Sequence, residues 1–290
     1  MPQRATCPGS YGTPTTAGPL ADPGLVETSG VVASPSLPGL LWMHNDSGDN
    51  ARVFAVGTNG AALGTLALGT TVDDVEDIAA APCPGAVGPC LYLADTGNNT
   101  LDRTNLAVFA VLEPPLTGAG PFGAMDATVV WRFPVVYPAG APVDCEALVV
   151  TPDGRTAFLF EKINGGLARL FSGPLPTTDG AALNLTLLGT FQAPGFTFVD
   201  HGTDITAADL HSSGTRLLMR VYTGIYEYRF AAGGGVPDVL TLAPALVTLG
   251  PLTEPQGEAV GYSSDGTGLF SVSEDRMQQP GQPLHQYACQ

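Results

Sequence analysis

The chain has 290 residues, 44% of them hydrophobic and 13% charged, with 27 acidic side chains against 11 basic ones and a formal net charge of −16. That balance excludes functions needing a cationic face, so neither nucleic acid nor an anionic membrane surface is an expected partner. No apolar run approaches the roughly 18 residues of a membrane span, and the material suffices for one domain over residues 1–290. Gly 37 and Pro 26 are spread along the chain as turn formers. The N-terminal MPQRATCPGS holds no apolar h-region, so no secretory signal is expected within this sequence.

Five cysteines are present: Cys7, Cys83, Cys90, Cys145 and Cys289. Cys83 and Cys90 flank a short Pro/Gly loop, and Cys7 and Cys289 lie near opposite ends of the chain. Two disulfides and a free Cys145 are expected, hence an oxidising compartment, secreted or periplasmic. Reduced thiols in a cytosolic protein are the alternative. No cysteine spacing resembles a zinc site.

One type of segment recurs along the chain. It appears as Glu27-Thr-Ser-Gly-Val-Val, Asp74-Val-Glu-Asp-Ile-Ala, Asp144-Cys-Glu-Ala-Leu-Val, Asp204-Ile-Thr-Ala-Ala and Gln256-Gly-Glu-Ala-Val. Each leads into a short strand and a turn, such as Thr151-Pro-Asp-Gly, His211-Ser-Ser-Gly and Ser263-Ser-Asp-Gly. Aligning the turn glycines makes Glu146, Thr206 and Glu258 equivalent, with Glu76 and Glu27 matched by pattern. Second strands follow at 40–44, 91–95, 157–161, 217–220 and 269–273. Third strands follow at 52–56, 106–111, 167–171 and 224–228, and fourth strands at 63–68, 128–133, 185–191 and 239–247.

No stretch sustains a 3.6-residue period, so the chain reads as all-β. Short strands in a long repeat predict a β-propeller of five four-stranded blades, the last completed by an N-terminal strand. Six blades are the alternative, because the 70-residue interval from Glu76 to Glu146 has room for an extra pair of strands. A β-sandwich is the other architecture compatible with the pattern.

In a propeller the innermost strands line a central channel, and their starts meet the ends of the second strands at one face. Glu27, Glu76, Glu146 and Glu258, with Asp74, Asp144 and Asp204, are therefore expected around one funnel. His44, Asp46, Asp95, Glu161, Lys162, Arg220 and Glu274 come from the second-strand ends. Ionised carboxylates so close repel one another unless a cation neutralises them. Oxygen-only ligands favour Ca²⁺, with Mg²⁺ as the second choice. The bland alternative is that these acids cap turns or pair with Lys162 and Arg220. His44 and His201 are candidate general bases, Asp46 a candidate proton carrier, and Lys162 (the only lysine) and Arg220 candidate anion clamps. Asp46-Ser-Gly-Asp49-Asn and Asp95-Thr-Gly-Asn-Asn99 are open to two readings, calcium loops or plain turns. Cys145, flanked by two acids, reads as packing.

The succession His44-Asn-Asp-Ser-Gly, Asp74-Val-Glu-Asp-Ile-Ala, Tyr92-Leu-Ala-Asp-Thr-Gly-Asn-Asn, Asp144-Cys-Glu-Ala-Leu, Arg220-Val-Tyr and Gly257-Glu-Ala-Val resembles secreted bacterial propeller proteins of the phytase-like or esterase-like type. More distantly, Gln256-Gly-Glu-Ala-Val followed by Leu269-Phe-Ser-Val-Ser-Glu-Asp275 is similar to the last blade of β-propeller phytases. Paraoxonase-type calcium hydrolases share the general plan. The resemblance implies a calcium-dependent hydrolase of phosphoesters or related esters; separately, a monomer is expected. A single lysine departs from the Lys/Arg-rich phytase site, so a neutral or singly charged ester is expected: a phosphotriester, phosphodiester or lactone. A non-enzymatic binding propeller with structural calcium is the rival. A glycosidase ranks behind both, because few funnel aromatics are identifiable to stack a sugar.

Overall fold

The computed structural model describes residues 4–128, 130–138, 143–249, 254, 256–274 and 277–290. Asp275, the last residue of the phytase-like segment, lies outside the described residues. Five sheets account for the strands, antiparallel except for a short edge strand added in parallel to each of two of them, and no α-helix occurs among the described residues. The inner strands are Thr28–Ala33, Asp77–Pro82, Cys145–Val150, Ile205–Leu210 and Gly257–Tyr262. Each packs against the next, and the fifth returns to the first, closing a five-bladed propeller. Alanine, glycine and valine dominate these strands because five of them must approach a common axis.

Five apolar clusters hold the blades together, one at each blade-to-blade interface. They are built from the second and third strands, for example Trp42, Phe109, Phe160, Met219 and Phe270, all essentially inaccessible. The turn glycines aligned from sequence, Gly154, Gly214 and Gly266, have φ of 71°, 71° and 79°, a conformation that a Cβ resists.

Closure follows the sequence expectation. Thr15–Pro19 pairs with Pro283–Tyr287 and becomes the outer strand of blade 5. A Cys7–Cys289 disulfide locks this seam, a Cys83–Cys90 disulfide ties the 83–90 loop, and Cys145 is a buried free thiol.

Two expectations are corrected. The surplus in the 70-residue interval forms no sixth blade: Gly123–Asp126 adds in parallel to the outer edge of blade 1. The outer strand of blade 4 is Ala245–Leu249, not 239–247. Pro237, with its fixed φ and no donor, starts a 3₁₀ turn at Val236–Leu240 instead.

Candidate functional site

Four of the five inner strands begin at the funnel mouth with the same irregularity. In blades 1, 3, 4 and 5 the register jumps at Thr28/Gly30, Cys145/Ala147, Ile205/Ala207 and Gly257/Ala259. The residue left unpaired is Ser29, Glu146, Thr206 or Glu258. In blade 2 Glu76 occupies this position, donating its amide to the Ala94 carbonyl just ahead of the Asp77–Ala94 pair. A bulge frees one residue from the ladder and re-aims its side chain.

Blade 1 therefore contributes Ser29 to this tier, which corrects the sequence alignment by two residues. Glu27 belongs to the outer tier with Asp74, Asp144, Asp204 and Gln256. The backbone agrees, since the carbonyls of Glu27, Asp144 and Gln256 accept the amides of Asp46, Lys162 and Glu274. The sequence carried the signal: Glu27-x-Ser29 has the spacing of Asp74-x-Glu76 and Asp144-x-Glu146. A third tier comes from the second-strand ends, in register Asp46, Thr96, Lys162, Tyr222 and Glu274. Sequence reasoning passed over Tyr222, which counting to the same register would have found.

The acids divide into two halves. Ligand oxygens of Asp46, Asp74 and Glu76 lie within 4.8 Å of one another, as do those of Glu76, Asp144 and Glu146. Glu76 is common to both groups and only 4% exposed, yet its carboxylate accepts no hydrogen bond among the described residues. Gly97 makes room for it, because a Cβ there would sit 2.0 Å from Glu76 Oε1 and 2.3 Å from Asp74 Oδ2. Burial, followed by the charges of Glu146, Asp46 and Asp74, pushes the Glu76 pKa well up. Burial and the neighbouring Asp46 raise Asp74 to about 7, and the two carboxyls share a hydrogen bond.

Neighbouring residues shape this half without joining it. Asn45 and Asp95, equivalent in register, each present Oδ1 to two successive amides, those of Val26 and Glu27 and those of Asp73 and Asp74. Arg103 pairs with Asp95 at 2.7 Å. Asn98 donates its amide to Asp144 Oδ1 at 2.7 Å and its Nδ2 to the Val143 carbonyl at 3.2 Å. Asp49 is taken by Arg52 at 2.8 Å. In these two acidic, Gly-rich segments arginines take Asp49 and Asp95, and among the described residues only Asp46 of their carboxylates reaches the cluster.

On the other half, Lys162 Nζ donates to Glu146 Oε1 at 2.5 Å and lies 5.3 Å from the Tyr222 ring centre. Burial works against its charge, but Glu146 and Glu258 hold its pKa above the usual lysine range. Burial raises Glu258 to about 8 against the opposing pull of Lys162, and Gln256 Nε2 donates to it at 3.1 Å. Beside Lys162 opens a cleft of about 610 Å³ lined by Asn99, Lys162, Val199, Asp200, His201, Tyr222, Thr223 and Gln256. His201 Nδ1 meets Asp204 Oδ2 at 2.8 Å, while the buried Asp204 Oδ1 has no partner. His201 holds a left-handed φ of 59°, and its amide donates to Asn164 Oδ1. A residue kept in that region by several contacts is a feature of functional loops.

The structure thus brings together Asp46, Asp74, Glu76, Asp144, Glu146, Lys162 and Glu258, and sets His201 with Asp204 on the rim. It places three expected residues elsewhere. Glu27 is hydrogen-bonded by Gln278. His44 and Arg220 share one register position, one pair below Asn45 and Val221, and are packed into the protein rather than lining the cleft. Burial lowers His44 to about 4, so its ring is neutral at pH 7. Arg220 is fully buried, pairs with Glu254 at 3.1 Å and lies against Gly257, where a Cβ would clash with the guanidinium.

No family model matches the sequence, and no curated protein is significantly similar to it. Solved structures of similar shape include U3-55K, at 12% identity and a TM-score of 0.39, matching 90% of this chain and 67% of that one. Hydrazine synthase of Kuenenia stuttgartiensis, at 15% and 0.39, matches over 86% of this chain and 56% of its own. A 6-phosphogluconolactonase-like protein of Bacteroides uniformis, at 11% and 0.41, matches over 90% and 67%. Likenesses this distant carry nothing about chemistry, and the five blades rest on this chain's own strand pairing.

Proposed function

We propose that the protein is a secreted or periplasmic, monomeric, calcium-dependent hydrolase of neutral or singly charged esters, with its site at the funnel mouth. Phosphotriesters, phosphodiesters and lactones are the substrate class. The observation that supports this most is Glu76, a carboxylate buried without a hydrogen bond among four others. A cation satisfies what the protein leaves unpaired, and a donor set of carboxylate oxygens without Cys or His suits Ca²⁺ before Mg²⁺. Asp46, Asp74, Glu76 and Asp144 would hold it, while Glu146 is already neutralised by Lys162.

A cation bound there supplies Lewis-acid polarisation of a carbonyl or phosphoryl oxygen. The protein's own groups do the rest. Lys162 stays charged beside the cleft and attracts developing negative charge. His201, oriented through Nδ1 by Asp204, presents Nε2 for moving a proton. Tyr222 and Val199 wall the cleft, and loop 196–203 is held by Asn164 Nδ2 on Asp200 and by the Thr223 hydroxyl on the Gly202 carbonyl.

The rival reading, a binding propeller with structural calcium, also has an observation in its favour. Asp46, Asp74 with Glu76, and Asp144 with Glu146 come from blades 1, 2 and 3, so a cation among them would clamp three blades. Hydrolysis of aryl phosphotriesters, phosphodiesters and lactones, measured in Ca²⁺ and after chelation, tests the proposal. Turnover that depends on Ca²⁺ and disappears in a folded Glu76→Gln variant supports it. Absent turnover, or turnover indifferent to calcium in a metal-free sample, overturns it.

A further inference from the structure

The lining of the cleft beside Lys162 says which molecules fit. Seven of its eight side chains carry a polar or charged group, and Val199 is the exception. Asn99, Thr223 and Gln256 are neutral, the Thr223 hydroxyl donating to the Gly202 carbonyl and Gln256 Nε2 to Glu258. Asn99 is exposed, and no hydrogen bond engages its side chain among the described residues. The volume of about 610 Å³ falls within the range of small-molecule sites.

Charge narrows the class. The Lys162 ammonium is committed to Glu146 at 2.5 Å, and Asp200 stands exposed on the same wall. An anionic ligand would meet that carboxylate and the acid cluster beyond, in a chain of net charge −16. A wholly apolar ligand would strip water from polar groups without replacing their hydrogen bonds. What remains is a neutral molecule with many hydroxyls and an apolar face. The Tyr222 ring supplies the matching surface, for C–H groups to rest on while its neighbours take the hydroxyls.

We propose that this cleft binds a neutral, hydroxyl-rich ring such as an uncharged sugar. The second half of the inference rests on the hydrolase reading: the ester cleaved at the funnel mouth is then an ester or lactone of a sugar.

Saturation-transfer NMR on the full chain with calcium tests the first half, using methyl glycosides of glucose, galactose and arabinose against cyclohexanol and glucose 6-phosphate. At least one glycoside should bind and both controls should not. Tyr222→Ala should weaken that binding about tenfold, and the exposed Asn99→Ala, which cannot disturb the core, about threefold. No transfer to any glycoside, equal transfer to cyclohexanol, or binding untouched in both folded variants overturns the proposal. Hydrolysis of sugar acetates and aldonolactones beside phenyl acetate separates the two halves. Calcium-dependent cleavage of phenyl acetate with no glycoside bound removes the sugar and leaves the hydrolase. Glycoside binding without cleavage of any ester keeps the sugar site and removes the hydrolase.

Discussion

Buried acids occur in two regions of this molecule, and they are treated in opposite ways. Between the blades each one is met by donors. Glu227 accepts from Tyr11, Tyr262, Arg216 and Arg229 at 2.6–3.3 Å. Glu254 accepts from Arg220 at 3.1 Å and Ser271 at 2.6 Å. Asp77 reaches across the channel from blade 2 and takes the amides of Leu148 in blade 3 and Ala208 in blade 4, at 2.8 and 3.1 Å. At the funnel mouth Glu76 has nothing comparable, and Asp46 and Asp74 share a hydrogen bond with each other. Burial of a carboxylate is therefore not what marks the site. The deficit of partners is, because an ionised group left without hydrogen bonds costs stability unless a cation arrives from solution.

The sharpest way to break this comparison is to remove one acid from each region. Glu254→Gln leaves the Arg220 guanidinium buried without its counter-charge, both side chains being 0% exposed. A loss of about 3–5 kcal/mol is expected in denaturant titrations. Glu76→Gln, measured in EDTA, removes an acid whose ionisation burial and its neighbours oppose, and should leave stability equal or higher. Equal losses from both would mean that the mouth is as satisfied as the interfaces.

Much of this was legible in the sequence, and what was missed has a common cause. Five blades, the N-terminal closing strand and both disulfides follow from period, turn glycines and cysteine placement, which are local or chain-end signals. The fate of each carboxylate is not local. Asp49 and Asp95 look as metal-like as Asp46, but Arg52 and Arg103 take them. Arg220 looks like an anion clamp, yet it points at Gly257, a contact between blades that no spacing reveals. Glu27 was misplaced because matching glutamate to glutamate overrode the two-residue spacing that kept the register.

A second contrast concerns ligands. Calcium should raise the stability of the native protein by about 2.7 kcal/mol at a concentration one hundred times its dissociation constant. Glu76→Gln should abolish the gain, while Glu254→Gln should keep it on a lower baseline. Thermal melts with and without 1,2-bis(2-aminophenoxy)ethane-tetraacetate suffice. An unchanged calcium increment in Glu76→Gln would place the ion elsewhere or nowhere.

Acidity sharpens the same point. Burial raises Asp74 to about 7 and Glu258 to about 8 in the ion-free protein. Their unfolded values lie near 4. Acids with raised folded pKa values favour the native state fully below the unfolded value, and that advantage fades as pH climbs through the folded one. Metal-free protein should therefore lose about 1–2 kcal/mol between pH 5 and pH 8.5, discounted for coupling and solvent screening. Added calcium should flatten this slope, because it favours the ionised carboxylates. A metal-free protein that grows more stable over this range would contradict the unpaired cluster.

The smallest effect expected is also the least intuitive. Among the described residues Lys162 is the cation that meets the acid cluster, and simple charge counting says its loss weakens the site. Its charge instead opposes a second cation, while its bond to Glu146 withholds one carboxylate from the cluster. Lys162→Gln frees that carboxylate and removes the repulsion together. Calcium should then bind about tenfold more tightly, about 1.4 kcal/mol, as read by calorimetry. In EDTA the variant should be no more stable than the native protein, since Glu146 now joins the unpaired set. Turnover should fall even as affinity rises, because the ammonium beside the cleft is lost to the developing negative charge. Weaker calcium binding in Lys162→Gln would instead make Lys162 a scaffold that aims Glu146 at the ion, and would move the division of the funnel from charge to geometry.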